Sequence, residues 1–151
     1  MKGRKKSNGN IDKKKVLAVL NRILENELAG VVRYTHYSLM VFGHNRIPIV
    51  KWLRDQARES LDHASQAGEH ITTLEGHPSL RISSLLETHK HSIDDILQES
   101  LEHEEAQLKN FYELLELTEG KLLFLEEYAR QMIVQEEEHV SEVRKMIRRS
   151  K

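Results

Sequence analysis

Four blocks of this chain place apolar residues three and four positions apart, the spacing of one face of an α-helix. The first runs from Val16 to about Phe42, through Leu20, Ile23, Leu24, Val31, Tyr34, Ser38 and Val41. The second runs from Ile49 to Leu74, through Trp52, Leu53, Gln56, His63, Ala67 and Ile71. The third begins near Ser92 and carries Ile93, Ile96, Leu97, Leu101, Leu108, Phe111 and Leu115. The fourth, about Lys121 to Arg148, carries Leu125, Tyr128, Met132, His139, Val143, Met146 and Ile147. The punctuation agrees. Gly43 closes the first block and Pro48 stands in the opening turn of the second. Glu75-Gly76-His77-Pro78 ends the second, Ser92 offers an N-cap ahead of Asp94 and Asp95, and Gly120 separates the last two. With 2 Pro and 7 Gly in 151 residues, the chain lacks the turn chemistry of an all-β design.

The connections set the topology. They are short at about 43–47, long at about 77–91 and short at 118–120. Short loops force antiparallel neighbours, whereas a long one can travel the length of a bundle. A helix of about 26 residues spans about 39 Å, which the middle connection covers if extended. The sequence therefore predicts an all-α four-helix bundle over residues 13–151, two antiparallel hairpins joined by one long crossover. Residues 1–12 read as a basic, disordered N-terminal arm.

Residues 1–15 hold seven basic side chains against Asp12, whereas the whole chain has a net charge of −1, so the remainder is acidic. No apolar run follows the basic residues, so the arm is not a secretory signal. No stretch reaches the ~18 apolar residues of a membrane span. The absence of Cys removes disulfides and thiolate metal sites and suits a reducing cytosol, so a cytoplasmic protein is expected. The acidic remainder should repel DNA over most of the surface. We expect no duplex binding in a gel shift at about 150 mM salt. A shift that vanished on deleting residues 1–10 would contradict this.

The chemistry lies in what interrupts the stripes. Glu27 falls between Leu24 and Val31, and Glu104 between Leu101 and Leu108. Glu136 and His139 fall between Met132 and Val143. His63 falls between Gln56 and Ala67, with Glu59 one turn before it. Any one of these Glu could be a boundary residue reaching to solvent, and the run Gln135-Glu136-Glu137-Glu138-His139 could be a solvated face. Four at similar depth, two of them with a His, favour a metal site, because buried carboxylates are costly unless paired or metal-bound. Oxygen and imidazole donors without thiolate suit iron or manganese, and the set is about that of a dinuclear carboxylate centre.

The segment Leu20-Asn21-Arg22-Ile23-Leu24-Glu25-Asn26-Glu27-Leu28, with Tyr34 beyond it, resembles the first helix of bacterioferritin. So does His63-Ala64 followed by Leu74-Glu75-Gly76-His77-Pro78-Ser79-Leu80, and Glu136-Glu137-Glu138-His139 looks like the family's Glu-x-x-His motif in the last helix. The resemblance covers about residues 12–147. It implies a ferritin-like fold with a di-iron centre that oxidises Fe(II) with O₂ or peroxide, for iron storage or detoxification. It also implies a homo-oligomer, a dimer at least and up to a 24-subunit shell. Carried over by position, the catalytic metal ligands would be Glu27, His63, Glu104, Glu136 and His139. The family's second-helix Glu is replaced by Ser60, which leaves Glu59 to take its place. Glu59 and Glu136 would bridge two irons, Glu27 and Glu104 would be terminal, and each His would complete one iron. Spacings of three and four share a helix face, so Glu59 can converge with His63, and a one-residue π-bulge would also re-aim it.

Two departures bear on the family's other properties. Leu61 aligns with the haem-ligating Met, so haem is not expected. The chain stops at Lys151 without the short helix that follows the bundle in shell-forming relatives. Two other readings remain on sequence alone: a different di-metal carboxylate oxidase or peroxide scavenger without a shell, and a metal-free helical protein associated with DNA. Among the remaining residues, His89 and His91 in the crossover read as surface loop, with a secondary metal or entry site as the alternative, and His103, off the stripe, reads as exposed. Tyr34 reads as core with its phenol near a ligand carboxylate, and Trp52 as bundle or dimer packing. Gly30 and Gly68, inside helices, would be explained by close helix approach.

Overall fold

The structure, a computed structural model, describes residues 10–148. The basic arm expected at 1–12 lies mostly outside the described residues. Four helices follow in order: α1 (Lys13–Met40), α2 (Arg46–Thr73), α3 (Ile93–Thr118) and α4 (Leu123–Ile147). Asp12 caps α1 by accepting the Lys15 N–H at 3.2 Å. Ser92 caps α3 by accepting the Asp95 N–H at 3.1 Å, with Asp94 and Asp95 in the first turn facing the positive end of the helix dipole. α2 starts earlier than its apolar stripe suggests: Asn45 is its N-cap and Pro48 lies in the first turn, where a missing N–H costs nothing. Gly43 and Gly120 have φ of 102° and 70°, so these two turns need the left-handed backbone that glycine adopts freely.

Cross-helix contacts fix the directions. On α1 and α2, Gly30 faces Ser60, and the Ser38 hydroxyl accepts from Arg54 Nε at 3.3 Å. On α1 and α3, Arg22 donates to Asn110 at 2.9 Å while Tyr34 pairs with Ser100 at 3.0 Å. On α3 and α4, Glu105 pairs with Arg144 at 2.6 Å and Phe111 packs edge-on against Tyr128. In each case the numbers run in opposite directions, so these pairs are antiparallel, and α2 and α3 run parallel across the bundle. The crossover that permits this lies extended along α1. Ser79 N–H donates to Asn21 at 2.8 Å and the Ser83 N–H to the Glu25 carbonyl at 3.1 Å. The bundle is thus two antiparallel hairpins joined by one long crossover, as the loop lengths predict.

The apolar interior is divided. One cluster includes Leu20, Ile23, Ala67, Ile71, Phe111, Leu114, Leu125 and Met132. A second includes Tyr34, Tyr37, Val41, Val50, Leu53, Ala57 and Ile96. Between them lies a buried polar layer of Glu27, Ser60, His63, Ser100, His103, Glu104, Gln107 and Glu136.

That layer corrects the sequence reading of α3. From mid-length onward its buried residues are Ser100, His103, Glu104, Gln107, Phe111, Leu114 and Thr118, after Ile96 and Leu97 near its start, whereas Leu101, Leu108 and Leu115 are only half-buried at its flank. Its inward face is the more polar one at mid-length, so the leucine repeat marks a line one residue away from the true centre. His103, expected in solvent, is therefore buried at 8% exposure.

The two helix-interior glycines have different causes. A Cβ on Gly30 would sit 2.9 Å from Ser60 Oγ and 3.0 Å from His103 Nε2, so α1 and α2 touch there. A Cβ on Gly68 would meet nothing within 4 Å, so close approach does not explain it. Gly68→Ala should stabilise the protein by about 0.5–1 kcal/mol, read as a higher urea midpoint with unchanged slope. A lower midpoint would contradict the open space seen there.

Candidate metal centre

Each helix brings one part of the polar layer. α1 supplies Glu27, α2 His63, α3 Glu104, and α4 both Glu136 and His139. Glu27, Glu104 and Glu136 are each under 10% exposed. Glu27, His63 and Glu136 each present one ligand atom so that all three lie within 4.8 Å of one another. His63 Nδ1 is 3.5 Å from Glu27 Oε1 and 3.6 Å from Glu136 Oε1. On the other side, His139 Nε2 is 3.8 Å from Glu104 Oε1. Glu136 joins the two halves, because it faces both Glu27 and Glu104 and lines one small cavity with them, His63 and His139. Five of the six residues singled out in the sequence therefore form one continuous group.

Glu59 stands apart. Its Oε1 lies 3.8 Å from His63 Nε2, the ring nitrogen opposite the one facing Glu27 and Glu136, and its side chain is half exposed. One imidazole cannot turn both nitrogens to one ion, so as placed Glu59 is at the mouth of the layer. α2 is an unbroken α-helix through this stretch, so the π-bulge that would re-aim Glu59 is not there.

Burial pushes the Glu136 carboxyl well above its ordinary value, and the charges of Glu104 and Glu27 add to this. Burial also pushes Glu27 up, against the opposing hydrogen bonds from His63 and Gln107. Burial works on Glu104 in the same sense, but the hydrogen bond from Glu136, with His139, His103 and Tyr34 nearby, outweighs it and holds Glu104 below the ordinary range. Burial and the neighbouring charges thus favour the protonated form of Glu136, while Glu104 favours the ionised one. Burial would lower His63, but Glu27 more than offsets it and its value rises. Burial then Glu104 raise the Tyr34 phenol far above its usual value, so it stays a neutral donor.

Several supports were not legible as such in the sequence. Gln107 Nε2 donates to Glu27 Oε1 at 2.9 Å and to the Ile23 carbonyl at 3.1 Å, fixing that carboxylate. It sits three residues after Glu104, which is the only sequence signal it carries. Tyr34 OH donates to Glu104 and also pairs with Ser100, so its expected role as a core residue bonding a carboxylate is seen, with Glu104 as the partner. The Trp52 indole lies parallel to the His139 ring, at 3° with centroids 6.0 Å apart, packing that orients the imidazole. Leu61, at the position compared with a haem ligand, is 51% exposed on the outside of α2.

The layer fits divalent metal. Carboxylate oxygens and imidazole nitrogens suit borderline first-row cations. Glu136 Oε2 and His139 Nε2 are shut from solvent without a hydrogen-bond partner, and a bound cation would supply one. Such a cation would also screen the crowded carboxylates.

Two apolar clusters closed around a belt of carboxylates and imidazoles define a helical carboxylate bundle, the polar chemistry held at mid-depth. The sequence matches the ferritin-like domain family over residues 17–151, and the chain belongs to that family. No curated protein sequence matches it. Among solved structures, it is similar to a ferritin-like, diiron-carboxylate protein of Bacillus anthracis strain Ames. That match has a TM-score of 0.84 at 20% identity, covering 91% of this chain and 98% of the other. The dodecameric thioferritin of Bacteroides fragilis, a bacterioferritin-related protein, has a TM-score of 0.80 at 23% identity, covering 91% and 86%. Rhodobacter capsulatus bacterioferritin, solved with a metal-free dinuclear site and a haem iron, has a TM-score of 0.77 at 23% identity, covering 97% and 86%. The described residues contain no helix long and apolar enough to cross a membrane.

Proposed function

We propose that the polar layer is a di-iron ferroxidase centre, binding Fe(II) as substrate and passing its electrons to O₂ or peroxide. The observation that carries this is the convergence of Glu27, His63 and Glu136 within 4.8 Å, continued through Glu104 to His139. Glu27 and His63 would hold one iron and Glu104 and His139 the other, with Glu136 between them. Glu59, exposed at the mouth, would draw cations inward and can swing toward a second bridging position. The pair of irons supplies two one-electron donors, and O₂ takes two electrons and two protons to become hydrogen peroxide.

The chain's own groups set the conditions for that exchange. Gln107 and Tyr34 hold the Glu27 and Glu104 oxygens in place before metal arrives, which lowers the cost of ordering ligands on binding. Glu136 gives up its proton on loading, so binding should release acid. The flanking clusters around Ile23, Phe111, Leu53 and Tyr34 keep bulk water from the centre.

The likeness to a diiron-carboxylate protein and to a bacterioferritin-related one supports this reading. So does the B. fragilis dodecamer for a homo-oligomeric state, together with the bare apolar side chains Phe42 and Ile47, 75% and 84% exposed. Native mass would give the subunit number, and with it whether storage in a shell is feasible. The function is tested by adding Fe(II) to the metal-free protein in an oxygen electrode. Rapid uptake with two Fe(II) oxidised per O₂ is expected. Oxidation no faster than in protein-free buffer would contradict it.

A further inference from the structure

The crossover meets α1 at a second group of donors, remote from the polar layer. His36, on α1, stands with Glu87 and His91, on the crossover, so that one ligand atom of each lies within 4.8 Å of the others. Glu87 Oε2 is 3.0 Å from His36 Nε2, and Glu87 Oε1 is 3.5 Å from His91 Nε2. The two imidazole centroids are 5.4 Å apart with the rings inclined at 65°.

The backbone is bent to make this group. Residues 87–91 are not helical, so a spacing of four does not by itself bring Glu87 and His91 together. His89 does so with a φ of 56°, in the left-handed region that a residue with a Cβ enters only against steric strain. Its N–H donates to Glu87 Oε1 at 2.6 Å, which fixes the carboxylate. The turn is tied to the bundle from the side. Thr88 donates to one oxygen of Glu99 and Tyr37 to the other, the latter at 2.6 Å, while Arg33 donates to the Tyr37 hydroxyl at 3.0 Å. A strained residue and a four-residue network thus hold three donors at one point.

An ordinary His–Glu pair would aim the ring N–H at the carboxylate. Here it does not. His36 Nε2 is shut from solvent and has no hydrogen-bond partner, although Glu87 Oε2 is 3.0 Å away, so the carboxylate lies off the axis of the ring nitrogen. That axis is left for another atom. Each imidazole nitrogen meets a different oxygen of Glu87, at 3.0 and 3.5 Å, close to the separation of about 3.4 Å between two ligands that stand about 2.1 Å from one tetrahedral ion.

We propose that His36, Glu87 and His91 form a second metal site, for a single divalent transition-metal ion of the zinc or ferrous type, which clips the crossover onto α1. Two imidazoles and one carboxylate are a complete protein donor set for such an ion, with the remaining position open to water. The site's ligands come from distant parts of the chain, so the ion ties the crossover shut as a cross-link would.

The test uses the full chain, with Zn(II) as the probe and trypsin as a second readout, since Arg81 and Lys90 lie in the crossover. The wild-type protein should bind one more Zn(II) per chain than His36→Ala or His91→Ala, measured after gel filtration. Saturating Zn(II) should slow cleavage at Lys90 at least about tenfold in the wild type and leave both variants unprotected. His36 and His91 are partly exposed and lie outside both apolar clusters, and unchanged melting of the metal-free variants would certify their folds. Fe(II) oxidation should be unaffected in both. Equal Zn(II) counts in wild type and variants, or equal cleavage at Lys90 with and without Zn(II), would overturn the proposal. A His63→Ala background lowers the count of the interior layer only, so the difference of one per chain stands or falls independently of the ferroxidase reading.

Discussion

Glu136→Gln should stabilise the metal-free protein and at the same time abolish rapid Fe(II) oxidation. Glu136 is 4% exposed, faces Glu104 and Glu27, and has one oxygen without a partner. Its carboxyl is pushed well up by burial first and by Glu104 next. A carboxyl whose folded value is raised contributes its stability fully below the ordinary value and loses it as pH rises through the folded one. At neutral pH the metal-free wild type therefore carries the cost of keeping a proton on Glu136, which a glutamine of the same shape does not. The gain should be about 1–3 kcal/mol near pH 7 and should shrink toward the ordinary carboxyl value, seen in thermal melts at a series of pH values. The amide cannot serve as an anionic bridge. Losing a residue that only supports a ligand costs about 10–100-fold in metal affinity or activity, so losing the central one should cost more than 100-fold in oxidation rate. A variant that is both less stable without metal and fully active would refute the role assigned to Glu136.

Metal itself should then be the largest single stabiliser of the bundle. Each ion bound only by the folded chain adds about 2.7 kcal/mol at a hundredfold excess over its Kd. Two ions in the layer would add about 5 kcal/mol, which for a chain of this size is a rise of about 10–20 °C in melting temperature. Zn(II) or Co(II) in place of Fe(II) avoids oxidation during the scan. The shift should survive His36→Ala largely intact and collapse in Glu27→Ala or His63→Ala. A melting temperature that does not move with any of these ions would show that the layer does not bind them.

Much of this was legible in the chain because local signals and global fold agree. Ser92 caps the helix it was expected to open, and Gly43 and Gly120 turn the chain where they stand. Glu27, Glu104, Glu136, His63 and His139 were visible because a charge inside an apolar stripe has no cheap structural explanation. What was not legible follows from the same reasoning turned round. On α3 the inward face is polar at mid-length, so Leu101, Leu108 and Leu115 drew the eye to the flank and hid His103 and Gln107. Glu59 could be placed on the face of His63, but which ring nitrogen it meets depends on a side-chain rotation that spacing does not encode. His36 carried no signal at all. It matters only because the crossover, with His89 in the left-handed region, folds Glu87 and His91 onto it.

The most direct measurement is an anomalous difference map at the iron edge from crystals of the protein loaded anaerobically with Fe(II). The account predicts two peaks in the polar layer about 3.5–4 Å apart, one beside Glu27 and His63, the other beside Glu104 and His139, with Glu136 reaching both. A map with no iron in that layer, or with iron at His36 and Glu87 alone, would contradict it.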